Sequence, residues 1–286
     1  MNIDELVTKA IEVGFEDVHS IRDLARMAVH LQPVDSETEP AHFGSRLGGL
    51  PALPVSQQWP HRNGRSLSFI GQVALDSQPR CITKEGFPGR GLLLFFYDVE
   101  QFAWGFDPRD ADCFTVIHVP NPGSELTISQ WPADLSDNAR FISCNLSSGR
   151  LVATLPPEES ILVEGLGLYP EQRDAYLDLL ESISNQEEWA LRTLLGGYPD
   201  QIQGDMMVEC ELVANGLYCG DGSAYEDERM PTFRRQACDW RLLFQVPSVE
   251  EAGMMWGDQG CLYYWIRDED LHQCRFDRSW MILQCG

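Results

Sequence analysis

The sequence predicts an α+β fold that is mainly β, made of two similar strand-loop-strand units with helices at its periphery. Three observations carry this. Residues 240–286 string together three apolar runs, 242–246, 262–266 and 280–284, with Gly257-Asp258 and Gly260 at the breaks. Their β-branched and aromatic content, punctuated by residues that accept a positive φ, marks strands joined by tight turns. An earlier stretch repeats the order: Phe69-Ile70-Gly71-Gln72-Val73 matches Leu242-Leu243-Phe244-Gln245-Val246, residues 91–97 match 260–266, and a further apolar strand follows each. An internal duplication leaves such a trace where neither half buries its apolar face alone. Helical spacing, the third observation, is confined to short runs near the N-terminus and mid-chain.

Taken in order, residues 4–13 and 20–31 read as two helices broken near Gly14, the second with Ser20 as N-cap and Ile21, Leu24, Ala25, Ala28 and Val29 on one face. They make an N-terminal helical layer over residues 1–32, ahead of a single mainly-β domain over 33–286 with a helical insertion at about 170–195. Residues 33–40 are acidic and flanked by proline, the pattern of an exposed loop. Between Gly44 and Pro60, glycines and prolines exclude a long helix and leave an ordered loop pinned by leucines. Residues 67–75 and 91–98 are the next strand pair; the second is apolar at successive positions, so both of its faces should be covered. Residues 113–119 and 150–155 are further strands. Residues 170–183 form a helix with Pro170 in its first turn and Tyr176, Leu177, Leu180 and Ile183 on its apolar face. A second helix over 187–195 is stopped by Gly196-Gly197. Residues 197–206 and the acidic run 221–228 read as loops.

At 286 residues the chain can bury a core without help from disulfides or metal. It carries 21 basic against 44 acidic side chains, a net charge of −23. That field repels nucleic-acid phosphates and anionic membrane surfaces and attracts basic partners. Only Lys9 and Lys84 are lysines, so positive charge sits almost wholly on guanidinium groups suited to bidentate pairing with carboxylates. The 9 cysteines, odd in number and without any Cys-x-x-Cys pair, indicate a reduced compartment. An acidic N-terminus and the lack of any apolar run near the ~20 residues of a membrane helix give the expectation of a cytoplasmic protein.

Arg46-Leu47-Gly48-Gly49-x-Pro with Trp59-Pro60, Phe69-Ile70-x-Gln72-Val73, Phe95-Phe96-Tyr97-Asp98, Leu195-Gly196-Gly197-Tyr198-Pro199 with Gln203-Gly204-Asp205, and residues 254–258 through Trp265-Ile266-Arg267 follow one another in this order. This set resembles the motifs of the YwqG-like family, a bacterial family of unknown function, across residues 46–286. The resemblance implies a mainly β, roll-like fold with peripheral helices. It implies no activity, cofactor or catalytic residue. The doubled Gly196-Gly197 departs from the single glycine of the family pattern and leaves the geometry of that loop open.

The histidines, His19, His30, His42, His61, His118 and His272, make neither His-Glu-x-x-His nor a close pair of the kind zinc sites use. Phosphate loop, nucleophile elbow and dinucleotide fingerprint are all absent from the sequence. The sequence therefore names no catalytic residue, no metal and no cofactor. Gln72, Asp98, Gln203, Asp205, Gln245, Asp258 and Arg267 are polar residues set in apolar or turn contexts. With Arg46, Trp59 and Trp256, and Trp265 beside them, they are the candidates for a cleft between the two β units. The competing reading is a buried polar network that satisfies backbone groups. The Gly-Asp loops at 203–205 and 256–258 are expected to meet, with Arg267 close by.

Three functional classes follow: a protein-binding or inhibitor module, such as an immunity protein against a basic toxin; a small-molecule binder or enzyme using the cleft; and a structural or regulatory scaffold. Charge favours the first, with Tyr225, Glu226, Asp227 and Glu228 as the contact for a basic protein partner. Neither nucleic acid nor membrane is an expected partner, and the oligomeric state is left open.

Overall fold

The computed structural model describes residues 1–34, 43–98, 100–123, 126–184 and 191–286. Two antiparallel sheets organise it. The larger has six strands, in the order β11 (Arg150–Thr154), β1 (Arg26–Leu31), β12 (Thr193–Gly196), β13 (Trp240–Pro247), β14 (Cys261–Arg267) and β15 (Trp280–Gln284). The smaller has five: β10 (Cys144–Asn145), β2 (Arg46–Leu47), β6 (Ser68–Ala74), β7 (Leu92–Tyr97) and β8 (Phe114–Val119). Two short ribbons pair β3 (Ala52–Pro54) with β9 (Leu126–Ile128) and β4 (His61–Arg62) with β5 (Arg65–Ser66). Strand outweighs helix, so the fold is α+β and mainly β.

The run Leu92-Leu93-Leu94-Phe95-Phe96-Tyr97 explains how the sheets stack. Every residue of β7 is buried, as its unbroken apolar pattern requires of a strand covered on both faces. Leu93, Phe95 and Tyr97 point into the main core shared with the six-stranded sheet. Leu92, Leu94 and Phe96 point the other way, into a smaller core closed by Ala52, Leu53 and Leu126 of the β3–β9 ribbon. Across the main core, Phe95 stacks on Phe244 at 4.4 Å and meets Tyr264 edge-on at 5.0 Å. The Tyr264 hydroxyl donates to the Phe96 carbonyl at 3.3 Å. Each such aromatic pair contributes about 0.5–1.5 kcal/mol beyond its buried area. Both β6 and β13 carry a bulge where they pair with their neighbours, between Phe69 and Gly71 and between Leu242 and Phe244.

Helices α1 (Ile3–Glu12), α2 (Val18–Leu24), α3 (Ile161–Glu164) and α4 (Pro170–Ile183) build a third core over β11, with Leu6, Ile21, Ala153, Val163, Tyr176 and Leu179 inside it. Asn2 and Glu5 close a capping box on α1. In α4 Pro170 occupies the first turn and Tyr176 turns inward as expected, but Leu177 is 43 % exposed and Leu179 takes the inward place. Helices α5 (Met206–Ala214) and α6 (Met230–Ala237) pack against each other, and α7 (Asp268–His272) follows β14 directly.

Several stretches differ from the sequence reading. Residues 26–31 are not the second half of a helix but β1, and Asp17 rather than Ser20 caps α2, accepting the Ser20 N–H at 3.2 Å. Val29 pairs with Leu151 of β11 on one side and Leu195 of β12 on the other. A run apolar at successive positions serves a doubly covered strand as well as a helix, and pairing on both edges decides between them. The expected helix over 187–195 lies partly outside the described residues, at 187–190, while 193–196 is the strand β12. The loop expected over 197–206 ends at Asp205, where the apolar run that follows becomes α5.

Candidate functional site

Gln72 and Gln245 lie buried in central strands, and both bond backbone through their amides, Gln245 also donating to the Asp200 carboxylate at 3.0 Å. Gln72 stands opposite Arg46, accepts the Ala52 N–H at 3.2 Å and donates to the Gly44 carbonyl at 2.8 Å. Gln245 stands opposite Leu194, accepts the Asp200 N–H at 2.8 Å and donates to the Arg192 carbonyl at 2.8 Å. Each amide ties down a segment containing two successive left-handed glycines and a proline: Gly48 and Gly49 with φ of +58° and +71°, Gly196 and Gly197 with φ of +72° and +75°. The doubled glycine thus has a defined geometry. At Gly197 a Cβ would lie 2.6 Å from the Ala28 Cβ and 2.7 Å from the Thr154 hydroxyl. Gln284, which the sequence reading passed over, makes a third such tie by accepting the N–H groups of Ile202 and Gln203 at 3.1 and 2.9 Å and donating to the Gly204 carbonyl.

The other sequence-derived residues are dispersed. Arg46 is buried; it donates to the Leu50 carbonyl, lies over the Phe69 ring, and burial lowers its pKa to about 10. Asp205 caps α5, accepting the N–H of Met207 at 2.8 Å and that of Ile161 at 2.7 Å, and burial raises its pKa. Trp256 is fully buried with its indole N–H on the Pro247 carbonyl, and Trp265 is buried too, so neither ring lines a cleft. Asp98 pairs with Arg65 at 3.3 Å at the end of β7. Trp59 donates to the Leu67 carbonyl and packs on Phe96 and Trp131.

The two Gly-Asp loops do approach one another, on either side of the C-terminal residues. Gln203 donates to the Cys285 carbonyl at 3.0 Å, Gly257 packs against the Cys285 side chain, and the Asp258 carbonyl accepts the Gly286 N–H. Arg267 stands apart from them, at the far end of β14. It forms an ion pair of 2.6 Å with Glu211 and lies over the Trp240 ring. Glu211, only 1 % exposed, also accepts from the Trp240 indole at 3.0 Å and from Asn215 at 2.8 Å. These polar groups hydrogen-bond and ion-pair within the fold, while Trp59 and Gln203 also border hollows.

The surface carries a different set. Phe102, Trp104, Tyr218 and Met255 are large and exposed. Their backbone is nonetheless fixed: the Trp104 carbonyl accepts the Leu283 N–H at 3.0 Å on the outer edge of β15, and the Gly105 carbonyl accepts the Trp280 indole at 2.8 Å. Gln101 bonds both Met255 and Gly257, and the Cys219 N–H donates to the Phe106 carbonyl, which brings Tyr218 alongside. Two adjoining hollows of about 480 and 610 Å³ share Asp107, Arg109 and Tyr218, and Asp110 edges the first. The acidic run leaves this patch through Asp221, which caps the turn Gly222–Glu226. Tyr225, Glu226 and Glu228 are exposed there, whereas Asp227 pairs with Arg229, whose hydrogen bonds lower its pKa to about 2. Exposed aromatics at 102, 104 and 218 were readable only as composition, because nothing in their spacing separates an outward ring from a core one.

Among the described residues no group of three His, Cys, Asp or Glu side chains is placed to hold a metal ion, and no helix is long and apolar enough to cross a membrane. Fold and site together define an α+β, mainly β protein of two stacked antiparallel sheets whose buried polar groups brace backbone and whose exposed aromatic residues gather around Asp107, Arg109 and Asp110. The chain belongs to the family described as "Domain of unknown function (DUF1963)", whose model matches residues 45–285. No curated protein matches it.

Proposed function

We propose that this protein is a protein-binding module that receives a basic polypeptide on the face formed by Phe102, Trp104, Tyr218 and the carboxylates beside them. One observation carries the reading: the three rings are 82, 36 and 47 % exposed around hollows edged by Asp110 and by Asp107, the latter paired with Arg109. Aromatic rings offer area to bury at the centre of a contact, and acidic neighbours steer a basic partner to it. A net charge of −23 extends the same field outward. Because the segment beneath is bonded along β15, little backbone order would be lost on binding. Inhibition of a basic toxin, as an immunity protein performs it, is the sharper form of this reading.

The architecture we propose alongside it is an internal duplication, within the YwqG-like branch of the family. It is supported by matching strand orders, β2-β6-β7-β8 against β12-β13-β14-β15, by the bulges in β6 and β13, and by the paired glycines and glutamines described above.

Selection from a displayed library of random peptides tests the function. Enriched peptides should be rich in Arg and Lys, bind the purified protein less tightly as salt rises, and fail to bind a Phe102→Ser, Tyr218→Ser variant that melts like the wild type. No enrichment, enrichment of acidic peptides, or binding indifferent to the double substitution would overturn the proposal.

A further inference from the structure

The outer strands of the two sheets are not equally protected. On the larger sheet the β15 edge gives its Leu283 N–H to Trp104, and the β11 edge gives its Ala153 N–H to the Met1 carbonyl. On the smaller sheet β10 receives the Val34 N–H at the Asn145 carbonyl. The remaining outer strand is β8. Its pairing with β7 is in a fixed phase, because the Asp98 N–H donates to the Cys113 carbonyl at 2.7 Å and Tyr97 stands opposite Phe114. Antiparallel alternation then turns the N–H and C=O groups of Thr115 and Ile117 toward β7 and those of Phe114 and Val116 outward. Among the described residues, nothing bonds to those outward groups.

Phe114 and Val116, 6 and 4 % exposed, border a hollow of about 540 Å³. Phe114, Thr115 and Val116 line it along the strand, Trp59 and His61 on one side and Phe276 and Asp277 on the other. The Phe276 ring, 4.9 Å from His118, closes the far end. Asp112 and Asp277 bring carboxylates into the hollow. Its one arginine, Arg62, is engaged by the Cys113 thiol and by the Arg109 carbonyl at 3.3 Å. Arg62 also borders the aromatic hollow, so the two depressions are neighbours across the Pro108–Asp112 turn.

We infer that an extended segment of the basic partner adds to the β8 edge as a further strand, its backbone bonding the outward groups of Phe114 and Val116 while its cationic side chains meet Asp112 and Asp277. This rests on the protein-binding reading and specifies how the partner is held. Strand addition takes affinity from backbone hydrogen bonds and selectivity from alternate side chains, which suits an edge strand sunk in a groove. An unpaired edge left open on a soluble domain otherwise invites uncontrolled pairing, and here the groove walls restrict access to a single strand.

The peptides selected above are the probe. Hydrogen exchange on the wild-type protein should show the Val116 amide slowed by bound peptide. Val116→Pro removes that outward N–H but no bond to β7, the placement in which proline is tolerated on an edge. If it melts like the wild type, it should bind roughly tenfold more weakly, the loss of one or two hydrogen bonds. Peptides that bind through Phe102 and Tyr218 yet leave Val116 exchange unchanged would overturn strand addition and keep the protein-binding reading. Failure of every basic peptide to bind overturns both. Protection of Val116 that grows with protein concentration in the absence of peptide would assign the edge to a second copy of the chain and overturn the basic partner there.

Discussion

Gln72 and Gln245 hold equivalent posts in different sheets: each accepts the N–H just beyond a Gly-Gly-x-Pro turn, at Ala52 and Asp200, and each donates to a carbonyl before that turn, at Gly44 and Arg192. Replacing either by leucine strands a backbone donor and acceptor, buried at Ala52 and part-buried at Gly44, Asp200 and Arg192. The cost should be about 1–3 kcal/mol for each group left without a partner. Urea unfolding of Gln72→Leu and Gln245→Leu checks this, and a change within the scatter of surface substitutions would show that the turns do not depend on their clamps.

Gly197 and Gly204 make a controlled pair. Gly197 combines a φ of +75° with no room for a Cβ, whereas nothing lies within 4 Å of one at Gly204. Gly197→Ala should therefore destabilise by more than the roughly 1–2 kcal/mol of the left-handed conformation alone, and Gly204→Ala should be close to neutral. Thermal melts of the two variants side by side decide it.

Glu209 is the pH-sensitive group of α5. Burial, with Asp205 nearby, raises its pKa from 4.5 to about 8, and its buried Oε2 has no hydrogen-bond partner among the described residues. A folded-state pKa above the unfolded one contributes stability that is fully present below the unfolded value, here 4.5, and is lost as pH rises through about 8. Glu209→Gln should thus melt several degrees above the wild type at pH 9, with the gap closing toward pH 5. A gap independent of pH would place the ionisation elsewhere.

Arg267 and Glu211 form an ion pair in which the carboxylate is almost wholly buried. Arg267→Leu should cost about 2–4 kcal/mol, because an uncompensated charge stays inside. Adding Glu211→Gln should recover part of that loss, since the amide oxygen can still accept from Trp240. A double-mutant cycle by denaturant unfolding measures the coupling.

The acidic run should separate by role. Glu226→Gln with Glu228→Gln removes two exposed charges and should slow association with a selected basic peptide while leaving the melting temperature unchanged. Asp227→Asn, which loses the Arg229 pair, should leave the association rate nearly intact. Its folded pKa of about 2 lies below the ordinary 3.8, so the pair's contribution is present above 3.8 and is lost as pH falls toward 2. Stopped-flow association at two salt concentrations checks the first half, and melts between neutral and acid pH the second.

The sequence by itself determined the elements whose local pattern admits one solution. The apolar run of β7, six residues between Gly91 and Asp98, is too short for a buried helix and reads as a strand covered on both faces, and the Pro170 start with Tyr176 inward reads as a helix lying on a core. Tertiary structure decided the rest. Residues 26–31 are apolar enough for helix or strand, and pairing with β11 and β12 settles them as strand. Trp256 and Trp104 have equally polar surroundings in sequence, yet one is sealed beneath Tyr97 and Phe141 and the other faces outward. Asp205 reads as a loop carboxylate until the first turns of α5 and α3 each place a backbone N–H on it, from Met207 and Ile161. Periodicity reports which side of an element is apolar, but which edge stays unpaired, as at β8, is set by partners distant in the chain.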